Sequence, residues 1–313
     1  MKRILIIKPS SMGDIIHGLL VAEAIHAQLP DVTIDWVVRR EFAPLVQSAR
    51  VIDHTYIFER DGGVSAFVKL IGEIRRERYD AVLDMQGLAR SGILTFFAKA
   101  GRKIGRADAR EGAGLACREK TAPFLKGEAV HAAKILAGFL DVLGLNNTLS
   151  EAVRFDASAS ELVWPTLAEG QRRLLIFPES RRAEKNWSGY ESLTRELLEA
   201  LPNLQILWCG HVPCDPDEAF DTDRFTNLTG KTGIDQLPQL LSSADCVVSN
   251  DSGPMHLAAA LARPLVAIFG PTDPARFGPY PKNNDKQRVL RRADGDIRSL
   301  TVEEVRDSVL DLL

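Results

Sequence analysis

Short runs of apolar residues alternate with helical patterns along the whole chain. The apolar runs are continuous, as expected for parallel strands that are covered on both faces of a sheet. They predict strands at 3–8, 32–38, 79–84, 172–177, 204–209, 246–249 and 265–269. Helical spacing of apolar residues begins at Ile16 and recurs over 128–143 and 188–201. Strand–helix alternation of this kind predicts an α/β protein with parallel sheets.

A break in this pattern near residues 146–170 predicts a boundary between two domains. The stretch is rich in Asn, Ser and Thr, contains Pro165, and precedes a new predicted strand. A length of 313 residues also suggests two domains, at about 150 residues each. We therefore expect an N-terminal domain over 1–165 and a C-terminal domain over 166–300. The last segment, 301–313, predicts an amphipathic helix in which Thr301 and Glu304 have capping-box spacing.

Composition and charge exclude several classes of protein. Hydrophobic residues make up 45% and charged residues 26%, which excludes disordered and fibrous classes. A net charge of -3 argues against a general nucleic-acid binder, because such proteins need a basic excess. The most apolar stretch, 255–269, is too short to cross a bilayer, and 1–7 lacks the apolar core of a secretory signal. The four cysteines show no CxxC spacing, which indicates buried free thiols in a reducing cytoplasm.

A polar segment with a glycine follows the first predicted strand. Residues 8–14 read KPSSMGD and lie at the edge of the sheet where ligands bind in open α/β folds. Gly13 permits close backbone approach, and Ser11 or Asp14 can cap the next helix. From position alone, a capping role for Asp14 is the simpler interpretation. The chain contains no GxGxxG, which removes the main support for a nicotinamide dinucleotide.

Three segments of the second half lie at further predicted strand ends. Residues 249–256 read SNDSGPMH and open a helix, which favours an anion site that would hold a diphosphate. The alternative is a capped helix without a ligand. Residues 181–187 read RRAEKNW, and their basic side chains either neutralise phosphate or form a solvated loop. Gly and Pro in 269–274 predict a turn that could be purely structural.

Three patterns suggest other chemistry but lack part of the required signature. Residues 230–232 read GKT, but Phe225 occupies the position of the first P-loop glycine. The acidic triplets at 215–217 and 221–223 resemble the metal-binding pair of some sugar transferases, yet neither follows a clear apolar strand. Cys209, Cys214 and His211 lack a fourth zinc ligand. We therefore expect no metal site.

Five motifs in one order resemble glycosyltransferase family 9, the ADP-heptose:lipopolysaccharide heptosyltransferases. They are KPSSMGD at 8–14, DMQGL at 84–88, KNW at 185–187, NDSGPMH at 250–256 and GPTDP at 270–274. The first is closest to heptosyltransferase I. The resemblance covers nearly the whole chain and implies an α/β GT-B fold, with two Rossmann-like domains that face each other across a cleft. The N-terminal domain would bind the acceptor and the C-terminal domain the nucleotide sugar, and helix 301–313 would return to the first domain.

The resemblance also implies roles for individual residues. Family members invert the anomeric centre without a metal, which requires one base and charge stabilisation of the departing diphosphate. Asp14 would be that catalytic base. The implied donor-binding residues are Lys185, Asp251, Ser252, Gly253, His256, Thr232, Ser180, Arg181 and Asp215. The implied acceptor-binding residues are Ser10, Ser11, Gly13, Gln86, Arg60, Arg90, Arg106 and Arg110.

Two departures from the family pattern leave the acceptor open. Residues 59–63 are shorter and less basic than the matching stretch of heptosyltransferase I, and Asn250 and Met255 are closer to other heptosyltransferase branches. The acceptor is therefore a lipid A core that carries Kdo, or a different glycolipid. We expect ADP-heptose as donor and no nucleic-acid partner. We also expect a monomer in the cytoplasm, peripheral to the inner face of the inner membrane.

Two other classes of protein remain open. The first is a nucleotide-sugar epimerase or hydrolase with the same two-domain architecture. The second is a non-catalytic module that binds a nucleotide sugar or a glycolipid. Fold-level analogy alone does not choose among these classes.

Overall fold

The computed structural model of the protein describes residues 1–123, 130–158, 160–161, 164–179, 182–217, 220 and 223–313. The chain divides into two compact units, Met1–Asp156 and Ala157–Leu313, so the boundary comes before the predicted one at residue 165. Four sequence-based predictions lie wholly or partly outside the described residues. They concern Ser180, Arg181, the start of the helix predicted at 128, and the acidic triplet 221–223.

The first unit is a parallel sheet with helices on its faces. Its strands are β1 (Arg3–Ile7), β2 (Thr33–Arg39), β3 (His54–Phe58), β4 (Tyr79–Asp84), β5 (Ala100–Gly105) and β6 (Glu119–Lys120). Their order among the described residues is β3-β2-β1-β4-β5-β6. Its helices are α1 (Met12–Gln28), α2 (Ala43–Gln47), α3 (Gly63–Ile74), α4 (Ala89–Phe97) and α5 (Ala132–Leu143). The connections run in opposite directions from β1 and β4, which makes a topological switch point at the carboxyl ends of these two strands.

The second unit repeats this architecture. Its strands are β7 (Arg172–Phe177), β8 (Leu204–Trp208), β9 (Phe225–Asn227), β10 (Cys246–Asn250), β11 (Leu265–Phe269) and β12 (Gln287–Arg291). Their order in the part of the chain that the structure covers is β12-β11-β10-β7-β8-β9, and the switch point lies between β7 and β10. Its helices are α6 (Tyr190–Ala200), α7 (Leu237–Ser242), α8 (Gly253–Ala260), α9 (Pro274–Phe277) and α10 (Val302–Leu310).

All seven strands predicted from apolar runs are present, with ends within one residue of the prediction. The pattern missed β3, β5, β6, β9 and β12. These strands lie towards the outer edges of the sheets, where polar residues such as Arg102, Lys103 and Arg288 interrupt the apolar run. Edge positions are partly solvated, so they do not require a continuous apolar stretch.

The C-terminal helix α10 belongs to the second unit. Its predicted capping box is confirmed, because the backbone N–H of Thr301 donates to the Glu304 carboxylate at 3.0 Å. Val305 and Val309 are fully buried in a core that also contains residues of α6. Arg306 forms an ion pair with Glu196 on α6 at 3.1 Å. Because α6 covers the apolar face of α10, the structure groups this helix with the second unit. The resemblance had implied that it returns to the first domain.

Candidate active site

The loop after β1 is anchored by a buried tryptophan. The indole N–H of Trp36 on β2 donates to the carbonyl oxygen of Lys8 at 3.0 Å. Gly18 on α1 makes room for this ring, since a Cβ there would lie 2.8 Å from a carbon of the Trp36 ring. Packing between α1 and β2 therefore holds the start of the 8–14 motif at the switch point of the first sheet.

Asp14 lies in the first turn of α1 with its carboxylate oriented by two neighbours. Its Oδ2 accepts from the backbone N–H of Ser11 at 3.1 Å and from the Ser11 hydroxyl at 2.8 Å. Its Oδ1 lies 3.5 Å from Nζ of Lys8, and the Asp14 side chain is 41% exposed against 3% for Lys8. A carboxylate that is both oriented and accessible is suited to accept a proton. The capping contact predicted from position is also present, so both interpretations of Asp14 fit this geometry.

Further charges surround the Lys8–Asp14 pair at this edge of the sheet. Burial lowers the pKa of Lys8; Asp14 and Asp84 oppose this shift and Arg106 adds to it. The Asp84 carboxylate at the end of β4 accepts from the backbone N–H groups of Gly87 at 2.9 Å and Gln86 at 3.1 Å. Burial also raises the pKa of Asp84. Lys8 and Asp84 are not among the site residues predicted from the sequence, although a charged residue at the end of an apolar strand is a usable signal.

The loops after β4 and β5 bring several predicted acceptor residues together. The backbone N–H of Arg110 donates to the Gly87 carbonyl at 2.8 Å. The Arg106 guanidinium is turned onto Asp108, with N–O distances of 2.8 and 2.7 Å. The buried Oε1 of Gln86 has no hydrogen-bond partner among the described residues. This edge therefore offers an amide oxygen and arginines to a polar ligand. Ser10, Ser11 and Gly13 belong to the neighbouring loop and helix start.

Arg60 and Arg90 contact each other beside a pocket of the first unit. The Arg90 guanidinium donates to the Arg60 carbonyl at 3.0 Å and lies 5.9 Å from the centre of the Phe58 ring. A pocket of about 510 Å³ opens here, lined by residues 58–62 with Arg40 and Glu41. Arg40 Nε donates to Glu59 at 2.7 Å. Arg40 is not among the residues predicted from the sequence, because it lies directly after β2 and is 20 positions from Arg60 along the chain.

In the second unit, Lys185 and Asp251 form a close ion pair at the switch point. Lys185 ends a short turn after β7, and Asp251 follows β10 directly. Their Nζ–Oδ2 distance is 2.5 Å, and their side chains are 14% and 6% exposed. The backbone N–H of Asp251 donates to the Ile268 carbonyl at 3.0 Å, which fixes the loop. Ser252 and Gly253 begin α8 and His256 is buried in its first turns, so these predicted donor residues share one strand end.

Asn250 connects the segments that carry Lys185 and Asp251. Its side-chain Nδ2 donates to the Pro178 carbonyl after β7 at 3.0 Å. Its Oδ1 accepts from the Tyr190 hydroxyl at 2.8 Å. Trp187 is held beside it, since its indole N–H donates to the Leu300 carbonyl at 2.9 Å. The buried Asn250 thus positions the Lys185–Trp187 segment, a role that the motif alone did not indicate.

Asp215 and Thr232 lie after the neighbouring strands β8 and β9. Asp215 Oδ1 accepts from the Asn227 amide at 2.8 Å, and Asn227 in turn accepts from the Thr229 hydroxyl at 2.7 Å. Thr232 is half-buried in the segment after β9. Because parallel strands end at the same edge, both residues belong to the carboxyl edge of the second sheet.

The remaining chemistry of the described part of the chain is limited. Within the residues covered, no group of three or more His, Cys, Asp or Glu side chains is arranged to hold a metal ion. The four cysteines are free thiols, and Cys117, Cys209 and Cys246 are buried. No helix in the described ranges has the length and apolar character needed to cross a membrane.

Comparison with known proteins places this architecture in a family. The profile of glycosyltransferase family 9 (heptosyltransferase) matches residues 67–302. Lipopolysaccharide heptosyltransferase 1 of Escherichia coli K12 is 29% identical over 330 residues, which cover 99% of this chain and 100% of the relative. The structure of E. coli heptosyltransferase WaaC with ADP matches with a TM-score of 0.80 at 25% identity, covering 99% of this chain and 100% of WaaC. WaaC with ADP-2-deoxy-2-fluoro heptose matches with a TM-score of 0.78 at 25% identity and the same coverage.

These matches confirm the predicted family and the predicted fold class. The family profile spans most of the chain, and both structural matches extend over both units. The two parallel-sheet units are therefore the Rossmann-like domains of a GT-B glycosyltransferase. The chain belongs to glycosyltransferase family 9, the heptosyltransferases.

Proposed function

We propose that this enzyme transfers a heptose from an ADP-heptose to the Kdo-containing inner core of a lipopolysaccharide precursor. The anomeric centre would be inverted, and no metal would take part. The observation that carries the proposal is the oriented carboxylate of Asp14, which is 41% exposed beside the buried Lys8. A relative at 29% identity is named lipopolysaccharide heptosyltransferase 1, which supports both the donor and the acceptor class.

The second sheet edge would bind the donor. Lys185 supplies an ammonium group, and Ser252 and Gly253 supply backbone N–H groups at the start of α8; both kinds of group are suited to a diphosphate. Diphosphate oxygens would compete with Asp251 for Lys185, so the ion pair would rearrange when the donor binds. Structures of the relative WaaC hold ADP and ADP-2-deoxy-2-fluoro heptose, which supports this donor class.

The first sheet edge would bind and activate the acceptor. Asp14 would take the proton of the acceptor hydroxyl while that oxygen bonds to the anomeric carbon of the heptose. The bond from this carbon to the β-phosphate oxygen breaks, and ADP leaves with the electron pair. Arg60, Arg90, Arg106 and Arg110 would bind the phosphate or carboxylate groups of the acceptor. The enzyme would bind its acceptor at the inner face of the inner membrane.

A mass-spectrometric assay tests this function directly. ADP-heptose is incubated with a panel of truncated lipopolysaccharide acceptors, with and without excess chelator. We expect ADP and one heptosylated glycolipid in both conditions, and NMR of the purified product should show an inverted anomeric configuration. A strict requirement for a divalent cation would contradict the metal-free mechanism.

The same assay separates the competing classes of function. Free heptose formed without an acceptor would identify a hydrolase. An isomerised donor, which has the same mass and must be separated by chromatography, would identify an epimerase. Binding of ADP-heptose without any turnover would identify a binding module. Transfer only to acceptors that lack Kdo would show that the enzyme is a glycosyltransferase but that its acceptor is not the Kdo-containing inner core.

A further inference from the structure

Exposed apolar side chains concentrate on one face of the first unit. Phe96 is 63% exposed and Phe97 is 41% exposed at the end of α4, and Leu115 beside this helix is 93% exposed. Val64 and Val68 on α3 and Ile93 on α4 are also exposed. Clustered apolar exposure of this kind marks an interaction surface, whereas single exposed residues do not.

Helices α3 and α4 present these residues side by side. Their inner residues Leu70, Ile74 and Leu94 are buried in one core cluster, so both helices cover the same face of the sheet. The Arg75 guanidinium at the end of α3 donates to the Phe97 carbonyl at 2.8 Å, which joins the two helix ends. The outer faces of α3 and α4 therefore lie on the same side of the first sheet, and together we call them the α3–α4 face.

Basic residues surround the aromatic end of the α3–α4 face. Lys103 Nζ donates to the Phe96 carbonyl at 2.5 Å and lies 5.7 Å from the centre of the Phe96 ring. Burial lowers the pKa of Lys103, and the nearby charges of Arg118 and Arg75 lower it further. Lys99 is exposed one residue beyond the α4 C-cap, Ala98. In the described part of the chain, none of these four cations forms an ion pair with an acidic side chain.

The α3–α4 face also leads to the pocket at Arg60. Gly62, the residue before α3, lines that pocket, and Arg90 on the first turns of α4 donates to the Arg60 carbonyl. A molecule bound at the pocket would therefore lie next to the start of both helices.

We propose that the α3–α4 face docks on an anionic lipid bilayer. Phe96, Phe97 and Ile93 would enter the headgroup region, and Lys99, Lys103 and Arg118 would contact lipid phosphates. This proposal rests on the glycolipid acceptor proposed above, which would then reach the Arg60 pocket from the membrane surface. A second copy of the chain fits less well, because a symmetric interface centred here would oppose like charges.

Vesicle flotation tests the proposal with the full-length protein. Vesicles of phosphatidylethanolamine with phosphatidylglycerol are compared with neutral phosphatidylcholine vesicles. We expect preferential binding to the anionic vesicles, and a loss of at least about tenfold in Phe96→Ser/Phe97→Ser. The matched control is Phe277→Ser in the second unit, whose ring is 38% exposed with the Arg276 guanidinium 5.1 Å from its centre. This control should bind vesicles like the wild type.

A second variant tests the charged part of the face. Lys99→Gln/Arg118→Gln should weaken binding to anionic vesicles and remove most of its salt dependence. Equal vesicle binding by the wild type and both double variants would overturn the proposal. So would a wild type that binds anionic vesicles no better than neutral ones. A concentration-dependent dimer that Phe96→Ser/Phe97→Ser abolishes would identify a second copy as the occupant instead.

A water-soluble, delipidated acceptor separates this proposal from the proposed function. Phe96→Ser/Phe97→Ser should transfer heptose to it at the wild-type rate while losing vesicle binding. If no acceptor is heptosylated by the wild type, the proposed function fails, whatever the vesicle result.

Discussion

In the first unit the lysine of the Lys8–Asp14 pair is the buried partner, at 3% side-chain exposure against 41% for the aspartate. In the second unit the aspartate of the Lys185–Asp251 pair is the less exposed partner, at 6% against 14% for the lysine. Both pairs lie at the switch point of a six-stranded sheet with the same strand order in the described residues. The two switch points thus each carry a lysine–aspartate pair, but a different partner is the more accessible one in each unit.

The difference follows from which residue ends the strand. Lys8 directly follows β1 and is held there by Trp36, whereas Asp14 belongs to α1. In the second unit Asp251 directly follows β10, and Lys185 comes from the loop after β7. The residue at the strand end is buried, so the first edge presents a carboxylate and the second presents an ammonium group. An accessible carboxylate suits proton abstraction, and an ammonium group that is less buried than its partner suits a diphosphate.

The largest effect is expected from removing the charge at the first edge. Asp14→Asn keeps the size and hydrogen-bonding capacity of the side chain but cannot accept the acceptor proton. We expect kcat to fall by about 10²- to 10⁴-fold, the usual contribution of a general base. Affinity for ADP, measured by calorimetry, should stay within about twofold, because the donor would bind at the second edge.

A structural role for Asp14 predicts a different result. If the carboxylate only caps α1, Asp14→Asn should retain most of the turnover, since Asn also accepts hydrogen bonds at a helix start. Urea unfolding of the variant provides the control, because a folded protein with unchanged stability excludes loss of the helix. Turnover near the wild-type value would remove Asp14 from catalysis.

The second effect tests the ammonium group of the second edge. We expect Lys185→Met to weaken ADP binding by about 2–3 kcal/mol, roughly 30- to 150-fold, as a charge-assisted contact is lost. Lys8→Met is the matched comparison, because it removes the equivalent lysine of the first unit and should leave ADP affinity unchanged. If both variants weaken ADP binding equally, the division of roles between the two edges is wrong.

Stability must be separated from binding in Lys185→Met. The substitution leaves the Asp251 carboxylate buried without its partner, which typically destabilises a protein by about 3–5 kcal/mol. The double variant Lys185→Met/Asp251→Asn removes that uncompensated charge. It should recover stability in urea unfolding without recovering ADP affinity.

The central strands and the motif positions could be predicted from the sequence because they depend on local patterns. Continuous apolar runs marked β1, β4, β7 and β10, and the glycine-containing polar segments after them marked the edges where ligands bind. Strands such as β5 and β12 were not predicted, because Arg102 and Arg288 interrupt the apolar pattern at partly solvated positions near the sheet edges.

Contacts between distant segments could not be predicted in the same way. Arg40 and Glu59 are separated by 19 residues and meet only because β2 and β3 are adjacent. The role of Asn250 depends on Tyr190 and Pro178, which are distant in sequence. For α10, the apolar face was evident from spacing, but its partner α6 was not, and the resemblance implied packing on the first domain instead.

The smallest expected effect is the pH dependence of stability that comes from Lys8 in the Lys8–Asp14 pair. Burial lowers the pKa of Lys8 from the ordinary value of 10.5. Between the lowered value and 10.5, the unfolded chain binds more protons at this site than the folded protein, so the free energy of unfolding rises with pH. Burial of the charged Lys8 side chain therefore lowers the free energy of unfolding most at low pH. This destabilisation decreases as the pH rises towards 10.5.

Lys8→Met lacks this titration, so the stability of the wild type relative to this variant should increase as pH rises. The slope for one group is at most about 1.4 kcal/mol per pH unit. Urea unfolding of both proteins between neutral pH and pH about 10 measures it. Lys103, whose pKa is also lowered by burial, titrates in both proteins and cancels in the difference. A difference that stays constant or falls over this window would mean that Lys8 is not held as a buried cation, and the contrast between the two edges would lose its physical basis.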